Sequence, residues 1–142
     1  EPICIAFSGH HPFNEKKNLE IKDLYGQSVF ITEPGQSSYL DTLYKEMNAH
    51  HPQIRFVPVR TYDMTLFNQC EHSNSLILTI PSWVSLHPML KMRFVNWKYT
   101  VPYGIIYPLQ PSSGVEAFIR ILQKVHNTGR NISADNILLP VQ

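Results

Sequence analysis

Three short stretches of the sequence place hydroxyl, cationic and aromatic residues directly after an apolar run. Hydrogen-bonding groups beside aromatic surface are what a small-molecule pocket requires. The candidate site residues are Thr32, Gly35, Ser37 and Ser38 in the first stretch, Arg60, Thr61 and Tyr62 in the second, and Thr79, Ser82 and Trp83 in the third. If each stretch turns from a strand into a helix, its free backbone N–H groups also favour an anion. The pattern predicts a binding site for a small molecule.

The first stretch, ITEPGQSSYLDTLYKEM, allows two interpretations. Ser38 and Asp41 have the spacing of a capping box, in which both side chains satisfy N–H groups at the start of a helix. Alternatively, the same N–H groups bind a carboxylate or a phosphate. The two roles are compatible, because Ser38 can cap one amide while Ser37 and its neighbours face a ligand.

Motifs for catalysis or for metal binding are weak in this sequence. No GxSxG, GxGxxG or GxxxxGK[ST] motif is present, and Asp63 has no second carboxylate close by. The histidine pairs His10-His11 and His50-His51 are adjacent, and adjacent side chains do not face the same way on a helix or strand. We therefore predict a protein that is not an enzyme and that needs no metal and no cofactor.

Strand and helix signals follow one another along most of the chain. The predicted strands are Ile3–Phe7, Ser28–Ile31, Ile54–Val59, Leu76–Ile80 and Pro88–Phe94, with a further apolar run over Tyr99–Tyr107. The first predicted helix contains Tyr39 to Met47. The second begins after Asp63 as N-cap and places Met64, Phe67 and Cys70 on one face. The third begins with a capping box of Ser113 and Glu116 and carries an apolar stripe from Val115 to Val125. This order predicts an α/β, Rossmann-like fold with the three polar turns on one edge of a parallel sheet. Pro58 indicates either that its strand lies at a sheet edge or that Pro58 is the last residue of the strand.

Composition narrows the class of protein. The 142 residues are 43% hydrophobic, which suits one domain, and 12 basic residues are scattered among 11 acidic ones, which disfavours nucleic-acid binding. The apolar runs are much shorter than the ~20 residues of a membrane span. Cys4 and Cys70 are far apart and lie among apolar residues, so we expect free thiols in a reducing compartment, with a single long-range disulfide as the alternative. The opening residues look like a strand already under way, which suggests a piece of a longer protein.

Several segments together resemble the effector-binding domain of LysR-type transcriptional regulators. His11-Pro12-Phe13, followed by Asp23-Leu24-Tyr25-Gly26 and an apolar strand, is similar to the family's hinge and second lobe. LILTIP at Leu76–Pro81 and VPYGIIY at Val101–Tyr107 are similar to later strands of the family. Asn14 replaces the family's small residue after the His-Pro pair. The helix-turn-helix domain and the first half of the effector domain are absent from the sequence.

The resemblance implies a three-layer lobe of a type 2 periplasmic-binding-protein-like domain. It implies a partial effector-binding domain over 1–129, made of a hinge strand and crossing loop (1–20), the second lobe (21–98) and a return crossing with the last strand and helix of the first lobe (99–129), followed by a tail (130–142). With half the domain missing, the strand Ile3–Phe7 and the stripe Val115–Val125 are expected to lose packing partners and to expose an apolar patch.

The resemblance also implies a function. A small effector, often a carboxylate in that family, would bind between lobes of a cytoplasmic bacterial homo-oligomer that reaches DNA only through the missing helix-turn-helix domain. One lobe of an extracytoplasmic solute-binding transport protein is the alternative, since it shares the two-lobed design. An enzyme on the same scaffold is the third interpretation.

Overall fold

The computed structural model describes residues 1–83, 85 and 87–129, and only the backbone of 126–129. The strands are β1 (Cys4–Ser8), β2 (Ser28–Thr32), β3 (Arg55–Val59), β4 (Leu76–Thr79) and β5 (Leu90–Phe94). The α-helices are α1 (Ser38–His50), α2 (Met64–Glu71) and α3 (Ser113–Gly129), and single 3-10 turns form at Pro12–Glu15, Ile21–Leu24 and Pro81–Trp83. The expected tail at 130–142 lies outside the described residues. Among those described, no helix is long and apolar enough to cross a membrane.

The chain divides after Val101 into two compact units, Glu1–Val101 and Pro102–Gln142. The first unit contains all five strands with α1 and α2, and the second contains α3. The candidate site residues all belong to the first unit.

The five strands form one mixed sheet in the order β3-β2-β4-β1-β5. β2 is parallel to both β3 and β4, as predicted. β1 is antiparallel to β4 and to β5, so the prediction of a parallel sheet is wrong for β1. The direction of a strand depends on the route of the chain around the sheet, which the residue types of the strand do not encode. Because parallel strands end at the same edge, the three polar turns after β2, β3 and β4 do share one edge of the sheet.

Successive side chains of a strand point to opposite faces of the sheet, and apolar side chains form a core on each face. One face joins Ile5, Phe7, Val29, Ile31, Leu76 and Leu78 to Leu43 and Met47 of α1. The other face joins Ala6, Phe30 and Ile77 to Leu66 and Cys70 of α2. Leu66 therefore faces the sheet, whereas Met64 is 55% exposed, so the predicted face of α2 is wrong for Met64. Two helices on opposite faces give the predicted three layers.

Pro58 lies in β3, at the edge of the sheet. β3 is the last strand of the sheet and pairs with β2 alone, with Pro58 opposite Ile31. A proline has no N–H to donate to a second neighbour, so an edge strand tolerates it. Of the two predicted positions, the edge is confirmed, and the strand ends at Val59 rather than at Pro58.

The expected loss of packing partners is wrong for the first strand. All five residues of β1 are buried, because β1 lies between β4 and β5 inside the sheet. In α3 the expectation holds for part of the stripe: Phe118 is 55% exposed and Val125 65% exposed, while Ile119 is buried.

The apolar run Tyr99–Tyr107 does not form a strand. Its first residues pair with the start of the chain, since Ile3 N–H donates to Tyr99 O at 3.0 Å and Val101 N–H donates to Glu1 O at 2.8 Å. After Val101, Pro102 has no N–H to continue such a ladder. Residues 102–112 contain no helix or strand.

Candidate functional site

The first turn begins where β2 ends. Thr32 is the last residue of β2, and its buried hydroxyl oxygen has no hydrogen-bond partner in the part of the chain that the structure describes. Gly35 has a φ of +89°, a backbone conformation that residues with a side chain rarely adopt. Its N–H donates to both carboxylate oxygens of Asp41, at 3.2 and 3.0 Å. The turn is thus closed on itself by an acidic side chain from the following helix.

The N-cap of α1 is Ser37 rather than Ser38. Ser37 has an extended backbone, with φ of −150°, and its Oγ accepts a hydrogen bond from Leu40 N–H at 3.4 Å. Ser38 is already helical, and Asp41 is engaged with Gly35, so the predicted capping box of Ser38 and Asp41 is wrong. Within the described part of the chain, the exposed Ser38 hydroxyl makes no hydrogen bond and is available to a ligand.

The same shift of one residue occurs at α3. Ser112 Oγ accepts from Val115 N–H at 3.5 Å, so Ser112 takes the capping role predicted for Ser113 and Glu116. In both helices the first of two adjacent serines is the one with its side chain at the helix end.

The second turn follows β3 and contacts the first. Gln36 Nε2 donates to Arg60 O at 3.2 Å, which joins the two turns directly. Arg60 and Thr61 are exposed, and among the described residues the guanidinium and the Thr61 hydroxyl have no hydrogen-bond or ion-pair partner. The second turn therefore presents a free positive charge and a free hydroxyl.

Tyr62 points back into the sheet rather than outwards. Its hydroxyl donates to Phe30 O of β2 at 3.2 Å. Burial raises the pKa of Tyr62, and the nearby Cys70 raises it further, so the phenol stays protonated. Asp63 then caps α2 by accepting from Leu66 N–H at 3.0 Å, which confirms the predicted N-cap.

The third turn follows β4, whose last residue is the half-buried Thr79. Trp83 contacts Tyr62 edge to face, with ring centroids 6.2 Å apart, and so joins the third turn to the second. The backbone N–H and the hydroxyl of Ser82 donate to the two carboxylate oxygens of Glu1, at 3.1 and 2.5 Å. Ser82 therefore binds a carboxylate that belongs to the chain itself.

Two residues of this edge were not among the sequence predictions. Gln36 lies inside the first polar stretch, so its position could have indicated it. Glu1 carries no local signal, because its contact with Ser82 depends on the antiparallel pairing of β1 with β4.

Arg60, Thr61 and Ser38 suit an anion, and Glu33 is the exposed carboxylate of the first turn that opposes one. The carboxylates of Asp41, Asp63 and Glu1 already accept hydrogen bonds from N–H groups, whereas Arg60 has no acidic partner in the described structure. A guanidinium can bind a carboxylate through two parallel hydrogen bonds. Over 1–83, 85 and 87–129, no group of three or more His, Cys, Asp or Glu side chains could hold a metal ion.

Solved regulatory domains have the same fold. The chain is similar to the CcmR regulatory domain of Synechocystis PCC6803, solved in complex with 2-PG, at a TM-score of 0.62 and 14% identity over 99% of this chain and 65% of that one. It is similar to the BenM effector binding domain, solved with its effector benzoate, at a TM-score of 0.65 and 12% identity over 98% of this chain and 65% of that one. This chain thus spans slightly less than two thirds of each domain.

A third similar structure names the family. HinK, a LysR family transcriptional regulator from Pseudomonas aeruginosa, matches at a TM-score of 0.51 and 13% identity over 71% of this chain and 36% of that one. The similar structures are mainly regulatory domains, and an ancestral cyclohexadienyl dehydratase is also among them. No protein-family model and no curated protein matches the sequence. The fold is that of LysR-type effector-binding domains, a mixed α/β sheet with flanking helices like that of periplasmic binding proteins.

Proposed function

We propose that this chain is an effector-sensing part of a LysR-type transcriptional regulator. The observation that carries the proposal is the joining of three polar turns at one sheet edge, by Gln36 with Arg60 and by Tyr62 with Trp83. Open α/β sheets bind ligands outside the carboxyl ends of their strands, which is where these turns lie. The likeness of the fold to regulatory domains solved with small ligands supports the same function.

The proposed effector is a small carboxylate. Its acidic group would pair with Arg60 and accept hydrogen bonds from the hydroxyl groups of Ser38, Thr61 or Ser82. The bonds from Ser82 to the Glu1 carboxylate support this chemistry, because in them the third turn already donates to a carboxylate. Gly35, Ser37 and Thr32 would shape the first turn, and Tyr62 and Trp83 would supply aromatic surface.

The proposed domain organisation follows the resemblance. Residues 21–98 form the second lobe, residues 1–20 the hinge strand and crossing loop, and residues 99–129 the return to the first lobe. Effector binding would favour one closure angle between lobes, and a separate helix-turn-helix domain would carry the signal to DNA. The regulator would be a cytoplasmic homo-oligomer without catalytic activity.

A lobe of a solute-binding transport protein is the second candidate, because the sheet is also similar to that of periplasmic binding proteins. The residues encoded before Glu1 distinguish the two. A helix-turn-helix there supports the regulator, and a signal or lipoprotein sequence supports the transport protein. Metal analysis and a broad hydrolase screen test for an enzyme on this scaffold.

The site is tested by calorimetric titration of the intact protein with a panel of small carboxylates that includes benzoate. We expect Arg60→Gln, Thr61→Val and Ser82→Ala each to weaken binding of the carboxylate that binds best. Asn74→Ala, at an exposed asparagine between α2 and the start of β4, lies at the opposite edge of the sheet; it is the control for Ser82→Ala and should leave the affinity unchanged. Unchanged affinity in all three site variants would refute the assignment.

A further inference from the structure

A small cavity lies on the face of the sheet that α2 covers, between α2 and β5. Its volume is about 20 Å³. Ala6 and Ile77 form a buried apolar floor, and the exposed Lys91 lies at its rim. Thr79 and Trp83 also line it, so the cavity adjoins the third turn of the candidate site.

His87 lines this cavity with an unsatisfied nitrogen atom. The side chain is buried, with 6% of the residue exposed, and Nδ1 has no hydrogen-bond partner among the described residues. The other nitrogen, Nε2, lies 3.2 Å from Asn68 Oδ1 and 3.7 Å from Glu71 Oε2. Only Nδ1 therefore lacks a partner.

The neighbours of Nε2 determine which nitrogen carries the proton. An ionised carboxylate offers acceptors alone, so Glu71 favours a proton on Nε2 whichever way the Asn68 amide is turned. In a neutral imidazole the other nitrogen then has a free lone pair. His87 Nδ1 is thus a buried acceptor that needs a donor, and the described residues of the cavity wall place none within hydrogen-bond distance.

We propose that this cavity is a subsite for a hydroxyl group of a small ligand, which donates a hydrogen bond to His87 Nδ1. A cavity of this volume holds one group the size of a water molecule. A carboxylate oxygen does not suit the position, since it would face the lone pair of Nδ1. The aromatic rings of Phe67 and Trp83 contact the apolar carbon atoms of the same ligand.

The inference extends the proposed function, because Thr79 and Trp83 belong to both sites. The ligand class becomes a small hydroxylated molecule with an apolar body. Among small ligands, the sheet edge with Arg60 favours those with an acidic group, and the His87 cavity favours those with a hydroxyl group.

Phenol and anisole test the proposed hydroxyl subsite, because they share an aromatic body and differ in the hydroxyl donor. Both are titrated against the 142-residue chain at about pH 8, where an ordinary imidazole is neutral. We expect phenol to bind about five- to tenfold more tightly than anisole, and to move the Nδ1 resonance of His87 in nitrogen NMR spectra, which anisole should not do.

Variants assign the effect to His87. His87→Phe should abolish the preference for phenol, and His87→Leu serves if that variant does not fold. His72→Phe, at the exposed end of α2, is the matched control and should keep the preference. Equal binding of the two probes, an unmoved Nδ1 resonance, or a preference that survives in the His87 variants would overturn the proposal. Arg60→Gln should leave the phenol preference intact, so failure of the effector site and failure of the cavity are distinguishable.

Discussion

The carboxylate of Glu1 accepts hydrogen bonds from both the N–H and the hydroxyl of Ser82, although 81 residues separate the two in sequence. In the absence of a ligand, Glu1 therefore occupies donors that an effector carboxylate would use. We predict that Glu1→Ala tightens the binding of whichever panel carboxylate binds best by about tenfold, since hydrogen bonds to a charged group contribute about 1.5–3 kcal/mol. Calorimetry measures the change.

Removing any acidic side chain near this edge could favour an anion through charge alone. Glu33→Ala, which deletes an exposed carboxylate in the first turn, is the control and should change the affinity far less. An equal gain in both variants would mean that Glu1 does not compete for Ser82.

The two serines before α1 should differ in their effect on stability. Ser37→Ala removes the oxygen that accepts from Leu40 N–H and should lower the free energy of unfolding by about 1 kcal/mol. Ser38→Ala removes an exposed hydroxyl without a partner in the described structure and should change it by less than about 0.5 kcal/mol. Urea unfolding followed by circular dichroism measures both. A larger loss of stability in Ser38→Ala than in Ser37→Ala would mean that Ser38 is the cap.

Acid should destabilise the protein through His11. The ring of His11 is packed between Phe7 and Phe13, and its Nδ1 accepts from Phe13 N–H at 3.2 Å. Burial lowers the pKa of His11 below the ordinary value of 6.5, and a hydrogen bond with the Gln27 side chain offsets part of this effect. As the pH falls below about 6.5, the unfolded chain takes up a proton that the folded chain resists, so stability decreases until the folded pKa is reached.

Urea unfolding from about pH 7.5 to 5 tests this dependence. His11→Asn keeps an acceptor for Phe13 N–H but does not titrate, so its stability should fall less over this range. His10→Asn, at an exposed neighbour, should behave like the unaltered protein. If His11→Asn retains the full decrease, another group causes it.

Neither cysteine should react in the folded state. Cys4 and Cys70 are buried free thiols, and burial raises the pKa of each to about 12. The thiolate is the reactive form, so iodoacetamide at about pH 8 should alkylate neither residue in the native protein and both in urea. Mass spectrometry of the digested protein assigns the sites. Rapid native alkylation of either thiol would contradict its described burial.

The sequence predicted the existence and type of most elements. Apolar runs indicated the five strands, Asp63 indicated the start of α2, and Pro58 indicated an edge strand because a proline lacks the N–H for a second neighbour. These features depend on neighbouring residues and on backbone chemistry, which a sequence contains. The three polar stretches were found for the same reason.

Features that depend on distant residues were decided by the tertiary structure alone. The residue types of β1 did not show that it runs antiparallel inside the sheet, and those of Tyr99–Tyr107 did not show that its pairing stops at Val101. Ser37 and Ser38 are chemically identical, and only the extended backbone at Ser37 makes it the cap.

In the candidate site, too, some features follow from residue types and others from the tertiary structure. The sequence by itself determined which side chains could bind an anion, because hydroxyl and guanidinium chemistry belongs to the residue. Only the fold decided that Gln36 contacts Arg60, that Tyr62 contacts Trp83 and that Glu1 occupies Ser82. The first two contacts arise from the parallel alignment of β3, β2 and β4, and the third from the antiparallel pairing of β1 with β4, which brings Glu1 to the same edge.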